Sequence, residues 1–340
     1  MGMAEINSNM PRDNTDELRW PMEPHALLHR MRGKVESVLI GKRDTVSMAL
    51  TALLAGGHVL LEDVPGVGKT MLARAFARVM GGEFARIQFT SDLQPSDVTG
   101  GSIWDVKRGD FVFRAGPIMS NVVLADEINR TSPRTQSALL EAMEERCVSV
   151  DGATRRLPEP FMLIATQNPL RDEGTYPLPE AQLDRFIMRL SIGYPAPQDE
   201  IRMLGTGSTA EKLESLRPVV VPDEWIKLQQ EAAQVHVHDA LLAYVVEVAW
   251  ATRRAKELTL GASPRASRDW VRAAQAKAYI EGRGFTVPDD FKATAAPVLL
   301  HRLVLRSGHE TGAARQAEVL ERIMQSLPQP VDAAGTGRKR

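Results

Sequence analysis

The chain has 340 residues, 43% apolar and 25% charged, a length that suits two domains and a composition that supports a packed core. Its 42 basic and 43 acidic residues leave a net charge of −1, which excludes a global field able to recruit nucleic-acid backbones or anionic membranes. The single cysteine, Cys147, excludes an intramolecular disulfide and makes a thiolate metal site a poor reading, so a reducing compartment is expected.

Residues 1–20 are polar and aperiodic and read as a disordered tail, with neither a signal peptide nor a membrane anchor visible, which predicts a cytoplasmic protein. From 21 to 194 short apolar runs alternate with helical patterns. His58 to Glu62 reads as a buried strand entering a loop at Pro65-Gly66, after which Leu72, Phe76, Val79 and Met80 recur at helical spacing until Gly81-Gly82. The stretch 91–117 carries Gly100, Gly101, Gly109 and Gly116 with little helical period, and an inserted hairpin is expected there. Asn121 to Ala125 and Pro160 to Ala165 read as further buried strands, separated by a second hairpin at Cys147 to Gly152 with its Asp-Gly turn. Past Tyr194-Pro195-Ala196-Pro197 the pattern is helical, so 195–327 is read as a smaller helical domain and 328–340 as a disordered tail with a basic end. The fold class expected is α/β, a mostly parallel sheet sandwiched by helices and followed by an all-α lid.

Glu62-Asp63-Val64-Pro65-Gly66-Val67-Gly68-Lys69-Thr70 carries the first chemistry. Gly66 and Gly68 let the backbone close around phosphate oxygens, whose charge meets amide hydrogens and a helix start. Pro65, Gly66, Val67, Gly68, Lys69 and Thr70 are therefore the expected nucleotide-binding residues, with Lys69 on the β- and γ-phosphates and the Thr70 hydroxyl on magnesium. Asp63 stands where the strict phosphate-loop pattern has glycine, and the competing reading is a glycine-rich strand-to-helix turn with an incidental lysine.

Leu124-Ala125-Asp126-Glu127 ends a later apolar strand with two carboxylates that alternate in direction. Asp126 is expected to hold magnesium and Glu127 to orient and deprotonate the attacking water of ATP hydrolysis. A solvated strand end is the alternative.

Ala165-Thr166-Gln167-Asn168-Pro169 and Pro177 to Phe186 then resemble two signatures of AAA+ ATPases, the P-loop NTPases that work as rings. That resemblance makes Asn168 the first sensor of the γ-phosphate and Arg185 the arginine finger acting in trans, a structural Asp184–Arg185 pair being the alternative. Arg265, in Gly261-Ala262-Ser263-Pro264-Arg265-Ala266, looks like the second sensor reaching from the lid. The run from Ala125 to Glu145, with Glu62 to Thr70, Gln167-Asn168-Pro169 and Gly174 to Ala181, is similar to the MoxR branch, a likeness that extends from about Ile40 to Ala266. It implies an ATP- and magnesium-dependent hydrolase, a ring that is usually a hexamer, and a chaperone-like motor that assembles or activates protein complexes. A von Willebrand factor A domain protein is the implied partner, and no nucleic acid is expected. The related alternatives are the ATPase subunit of a magnesium-chelatase-like complex and a nucleic-acid-remodelling motor.

Three lesser features are weighed. His236 and His238 are read as ordinary histidines, because two residues on a helix diverge. Trp104, Phe111 and Phe113 serve either client contact or hairpin packing. Cys147, with no basic cluster beside it, is read as a small apolar side chain.

Overall fold

The computed structural model describes residues 23–167, 175–205, 209–306 and 312–328. In chain order, α1 (Pro24–Val38) and α2 (Arg43–Leu54) precede β1 (Val59–Glu62), α3 (Lys69–Val79) and β2 (Phe84–Gln88). A short α4 (Pro95–Thr99) leads into the hairpin β3 (Gly100–Asp105) and β4 (Asp110–Ala115). β5 (Val122–Asp126), α5 (Pro133–Glu145), the hairpin β6 (Cys147–Val150) and β7 (Ala153–Arg156), and β8 (Met162–Gln167) follow. α6 (Glu180–Leu183) and β9 (Met188–Leu190) complete the sheet. Then come α7 (Pro197–Gly205), α8 (Thr209–Ser215), α9 (Pro222–Ala233), α10 (Asp239–Arg254), β10 (Leu258–Leu260), α11 (Pro264–Ile280), α12 (Pro288–Leu299), β11 (Val304–Leu305) and α13 (Gly312–Ser326).

The apolar runs pair into one five-stranded parallel sheet in the order β2-β5-β8-β1-β9. Alternation decides what each face meets. Val59, Leu61, Val122, Leu124, Met162 and Ile164 join one buried cluster with α1, α2, α3 and the C-terminal helices. Leu60, Val123, Ala125, Leu163 and Ala165 join the other, under α5 and Phe89. Each of the larger side chains, fully buried, contributes about 1.5–3 kcal/mol, and each alanine about 0.8 kcal/mol. The first cluster continues without a break into the lid through Trp225, Trp270 and Phe291, and Trp270 Nε1 donates to the Phe291 carbonyl at 2.9 Å. By comparison the exposed pairs of Arg74 and Arg78 with Glu214, which also tie α3 to α8, contribute about 0–1 kcal/mol each. Apolar burial therefore dominates the joint between sheet and lid.

Both hairpins form. In the first, Trp104 faces Phe111 across the strands with rings 5.2 Å apart and edge to face, and the Arg155 guanidinium lies 3.9 Å over Phe113. In the second, Asp151 and Gly152 both take positive φ, the geometry that an Asp-Gly hairpin turn requires. α4 is the addition: the Asp97 carboxylate accepts the Gln94 N–H at 2.9 Å and caps five helical residues inside a stretch whose glycines argued only for a hairpin. His236 and His238 are not on a helix, the location on which their reading as ordinary histidines rests. They lie in the link between α9 and α10, where His236 pairs its backbone with the Phe285 segment and His238 caps α10 by accepting the Ala240 N–H.

Candidate nucleotide site

The carboxyl ends of β1, β5 and β8 lie side by side, where a parallel sheet whose order reverses opens a crevice for ligands. β1 exits into the phosphate loop. Gly66 (φ +85°) and Gly68 (φ +102°) both hold left-handed backbone that L side chains avoid, and Gly68 is the residue on which α3 begins. A Cβ on Gly68 would stand 2.9 Å from Leu39 Cδ1, the end of a side chain that can shift, so the backbone conformation more than packing demands glycine. Pro65 and Gly66 are exposed, and Val67, Lys69 and Thr70 are half-buried at the first turn of α3. Amide hydrogens and the helix dipole thus face the crevice with positive charge.

Asp63 explains its own departure from glycine. Its Oδ2 accepts the Ser191 hydroxyl at 2.9 Å and the Ile192 and Gly193 N–H groups at 2.6 Å each, while Oδ1 accepts the Val64 N–H at 2.9 Å. Burial alone would raise its pKa, but these donors hold the carboxyl below the usual value. The loop is thereby stitched to the end of β9. Lys69 Nζ donates to the Asp63 carbonyl at 2.6 Å. Burial lowers the lysine from its ordinary pKa, while Asp126, Asp63 and Glu127 stand close enough to pull it back up.

Asp126 closes β5 at 8% exposure. Its Oδ1 accepts the Thr166 hydroxyl of β8 at 2.6 Å, and Oδ2 accepts Arg86 of β2 at 2.6 and 3.1 Å. Glu127 is not on the strand as expected. It takes φ +57°, an outlier for a non-glycine residue, and its N–H donates to the same Thr166 hydroxyl at 2.8 Å. The turn, rather than strand alternation, sets the direction of the Glu127 carboxylate, which Gln88 and Arg86 bridge to that of Asp126. Glu127 Oε2 accepts Gln88 at 2.9 Å and Arg130 at 3.1 Å. Oxygen donors such as the Asp126 carboxylate and the Thr70 hydroxyl suit magnesium, which binds through one or two protein oxygens and completes its shell with phosphate and water. Among the described residues no cluster of three or more His, Cys, Asp or Glu could hold a metal ion.

Asn168 lies outside the described residues. β8, which leads to it, runs between β5 and β1. Arg185 and Arg265 converge on one carboxylate, Glu144 near the end of α5: Arg185 Nε lies 3.4 Å from it, and an Arg265 terminal nitrogen donates to its other oxygen. Asp184 does not pair with Arg185. Its partners are Ser263 and Arg302.

Sequence reasoning missed three sets of residues. Arg86, Gln88 and Thr166 reach the carboxylates from neighbouring strands, and no local motif marks them. A cavity of about 390 Å³ beside the phosphate loop is lined by Ile40, Gly41 and Lys42 from the α1–α2 link and by Arg202 and Lys212 from α7 and α8. Its one sequence signal is Gly41 (φ +75°), where a Cβ would run into Asp199. The third is Arg302.

A parallel sheet in this strand order, with a phosphate loop after β1, paired carboxylates after β5 and a helical lid, defines an AAA+ ATPase. The profile of the ATPase family associated with various cellular activities matches residues 58–188, and that of the AAA lid domain matches 250–323. The chain is 42% identical to Chaperone MoxR1 of Mycobacterium tuberculosis over 89% of its own length and 82% of that protein, and 31% identical to Protein MoxR of Paracoccus denitrificans over 84% and 91%. It belongs to the MoxR family of AAA+ ATPases. It is also 49% identical to the uncharacterized protein YeaC of Bacillus subtilis over 90% of this chain and 96% of that one. A solved structure from Cytophaga hutchinsonii superposes with a TM-score of 0.82 at 34% identity, covering 91% and 96% of the two chains.

Proposed function

We propose that this chain hydrolyses ATP with magnesium and uses the cycle as a chaperone-like motor that assembles or activates protein complexes. The observation that supports it is that the Asp126 and Glu127 carboxylates, bridged by Arg86 and Gln88, both lie close enough to act on the Lys69 ammonium. The triphosphate lies over Gly66 to Lys69 and the base enters the cavity at Ile40 and Gly41, between the core and α7. Magnesium supplies charge neutralisation for the phosphates, with Thr70 and Asp126 as its protein oxygens. Glu127, released from Gln88 and Arg130, orients water and takes its proton. Asn168 senses the γ-phosphate.

Arg185 acts on the nucleotide of a neighbouring protomer, so turnover requires a homo-oligomeric ring, read as a hexamer. Arg265, expected at the γ-phosphate from the lid, shares Glu144 with Arg185 and is assigned to the same trans-acting surface. The core spans 21–194 and the lid 195–327. Protein clients, with a von Willebrand factor A domain protein as partner, and a cytoplasmic location complete the reading. Among the described residues no helix is long and apolar enough to cross a membrane.

Mutation of the finger tests the assignment. Arg185→Ala keeps nucleotide affinity and loses about 10³-fold or more of turnover. Specific activity of the wild type rises with protein concentration as protomers associate. Concentration-independent turnover in a protein that stays monomeric would overturn the ring.

A further inference from the structure

Arg302 sits in the tight turn after α12 with 4% of its surface exposed. Its Nε lies 3.0 Å from Asp184 Oδ1. One terminal nitrogen reaches the carbonyls of Asp184 and Phe186 at 2.9 Å each and Asp269 Oδ2 of α11 at 2.7 Å, and the other donates to the Val298 carbonyl at 3.1 Å. The two core carbonyls belong to the residues on either side of Arg185. His301 donates to the Phe186 carbonyl as well, at 2.9 Å. On the lid side, Ser263 Oγ lies 2.9 Å from both Asp184 carboxylate oxygens while capping α11 through the Ala266 N–H, two residues from Arg265.

A buried guanidinium surrounded by this many acceptors holds orientation in a way that apolar packing cannot, and its planar fork cannot be reproduced by an ammonium. The neighbours are charged on both sides: Asp184 and Asp269 against Arg302, with Arg268 3.7 Å from Asp269. Among the described ion pairs none joins Arg302 to the phosphate loop or to Asp126 and Glu127.

We propose that Arg302 is a positioning residue that locks Arg185 and Arg265 into one rigid unit, so that each protomer presents both guanidiniums at a fixed spacing to its neighbour's nucleotide. The inference rests on the reading that Arg185 acts in trans. The lid and the α6 segment then move together, and a displacement of either carries both arginines.

Arg302→Lys keeps the charge and removes the fork. It retains wild-type circular dichroism, binds a fluorescent ATP analogue within about twofold of wild type, and loses about 10²-fold of turnover through misplaced groups. Ser263→Ala, which removes one donor from Asp184 and leaves the Arg302 fork in place, follows the same pattern at roughly tenfold. Mixing separates positioning from damage. Glu127→Gln subunits have a dead pocket and an intact finger, so random assembly with Arg302→Lys or Ser263→Ala subunits places a competent pocket beside a competent finger at about a quarter of the interfaces. Turnover of the 1:1 mixture accordingly rises to about a quarter of wild type. A mixture that stays at the level of its components, while Arg185→Ala mixed with Glu127→Gln does recover, overturns the role of Arg302 and leaves the trans finger standing. Failure of the Arg185→Ala mixture overturns both. Loss of analogue binding in folded Arg302→Lys also contradicts the proposal.

Discussion

Asp63 shows how one side chain can serve a loop by breaking its sequence pattern. Glycine at this position would leave the N–H groups of Val64, Ile192 and Gly193 without the carboxylate they now donate to. Buried donors without an acceptor cost about 1–3 kcal/mol each, less whatever water restores. Both Asp63→Gly and Asp63→Ala are therefore expected to lose about 2–4 kcal/mol of stability, read as a lower urea midpoint at unchanged slope. A neutral Asp63→Gly would mean that the stitch to β9 carries no energy. Arg86 makes a second residue-scale case. It neutralises Asp126, so Arg86→Ala should lower the melting temperature more in nucleotide-free protein than in protein saturated with magnesium and ATP, where the ion takes over that charge. Equal losses in both states would contradict the competition.

At the scale of elements, His58 links three of them. Its Nδ1 accepts the Leu163 N–H of β8 at 3.0 Å and its Nε2 donates to the Met143 carbonyl of α5 at 3.2 Å, from the start of β1. Burial, with Arg146 nearby, pushes its pKa to about 3. The unfolded chain takes up a proton near the ordinary value of 6.5 that the folded protein refuses. The stability from neutral His58 is thus complete above about pH 6.5 and declines as pH falls toward 3, by up to about 1.4 kcal/mol per pH unit. Melting temperature should fall more steeply for the wild type than for His58→Gln between pH 6.5 and 4.5. Parallel curves would rule out His58 as a source. The elements themselves were largely readable in the chain, because β1, β5 and β8 are apolar runs and the phosphate loop is a local pattern of glycines and lysine. α4 was not, since its cap comes from Asp97 among glycines that argue for turns. Nor were Arg86, Thr166 and Arg302, whose partners lie about 40, 40 and 118 residues away in sequence and meet only through strand order and lid docking.

On the proposed reading the nucleotide lies between two bodies that share one apolar cluster, so ligand binding and the stability of the core–lid joint are linked. Magnesium and ATP at about a hundred times the dissociation constant should add about 2.7 kcal/mol, seen as a higher melting temperature that Lys69→Ala abolishes. Under the proposed ring, the same linkage would let an ATP-bound lid set the pose of Arg185 and Arg265 toward the next protomer. With a net charge of −1, the proposed ring would rest on surface shape and local pairing more than on long-range attraction. The central claim is that Lys69, Asp126 and Glu127 form one hydrolytic pocket, and Glu127→Gln tests it most directly by measuring ATP affinity and phosphate release on the same preparation. The predicted result is affinity unchanged within about twofold and turnover down by about 10²-fold or more. Wild-type phosphate release from the purified Glu127→Gln protein would contradict the account.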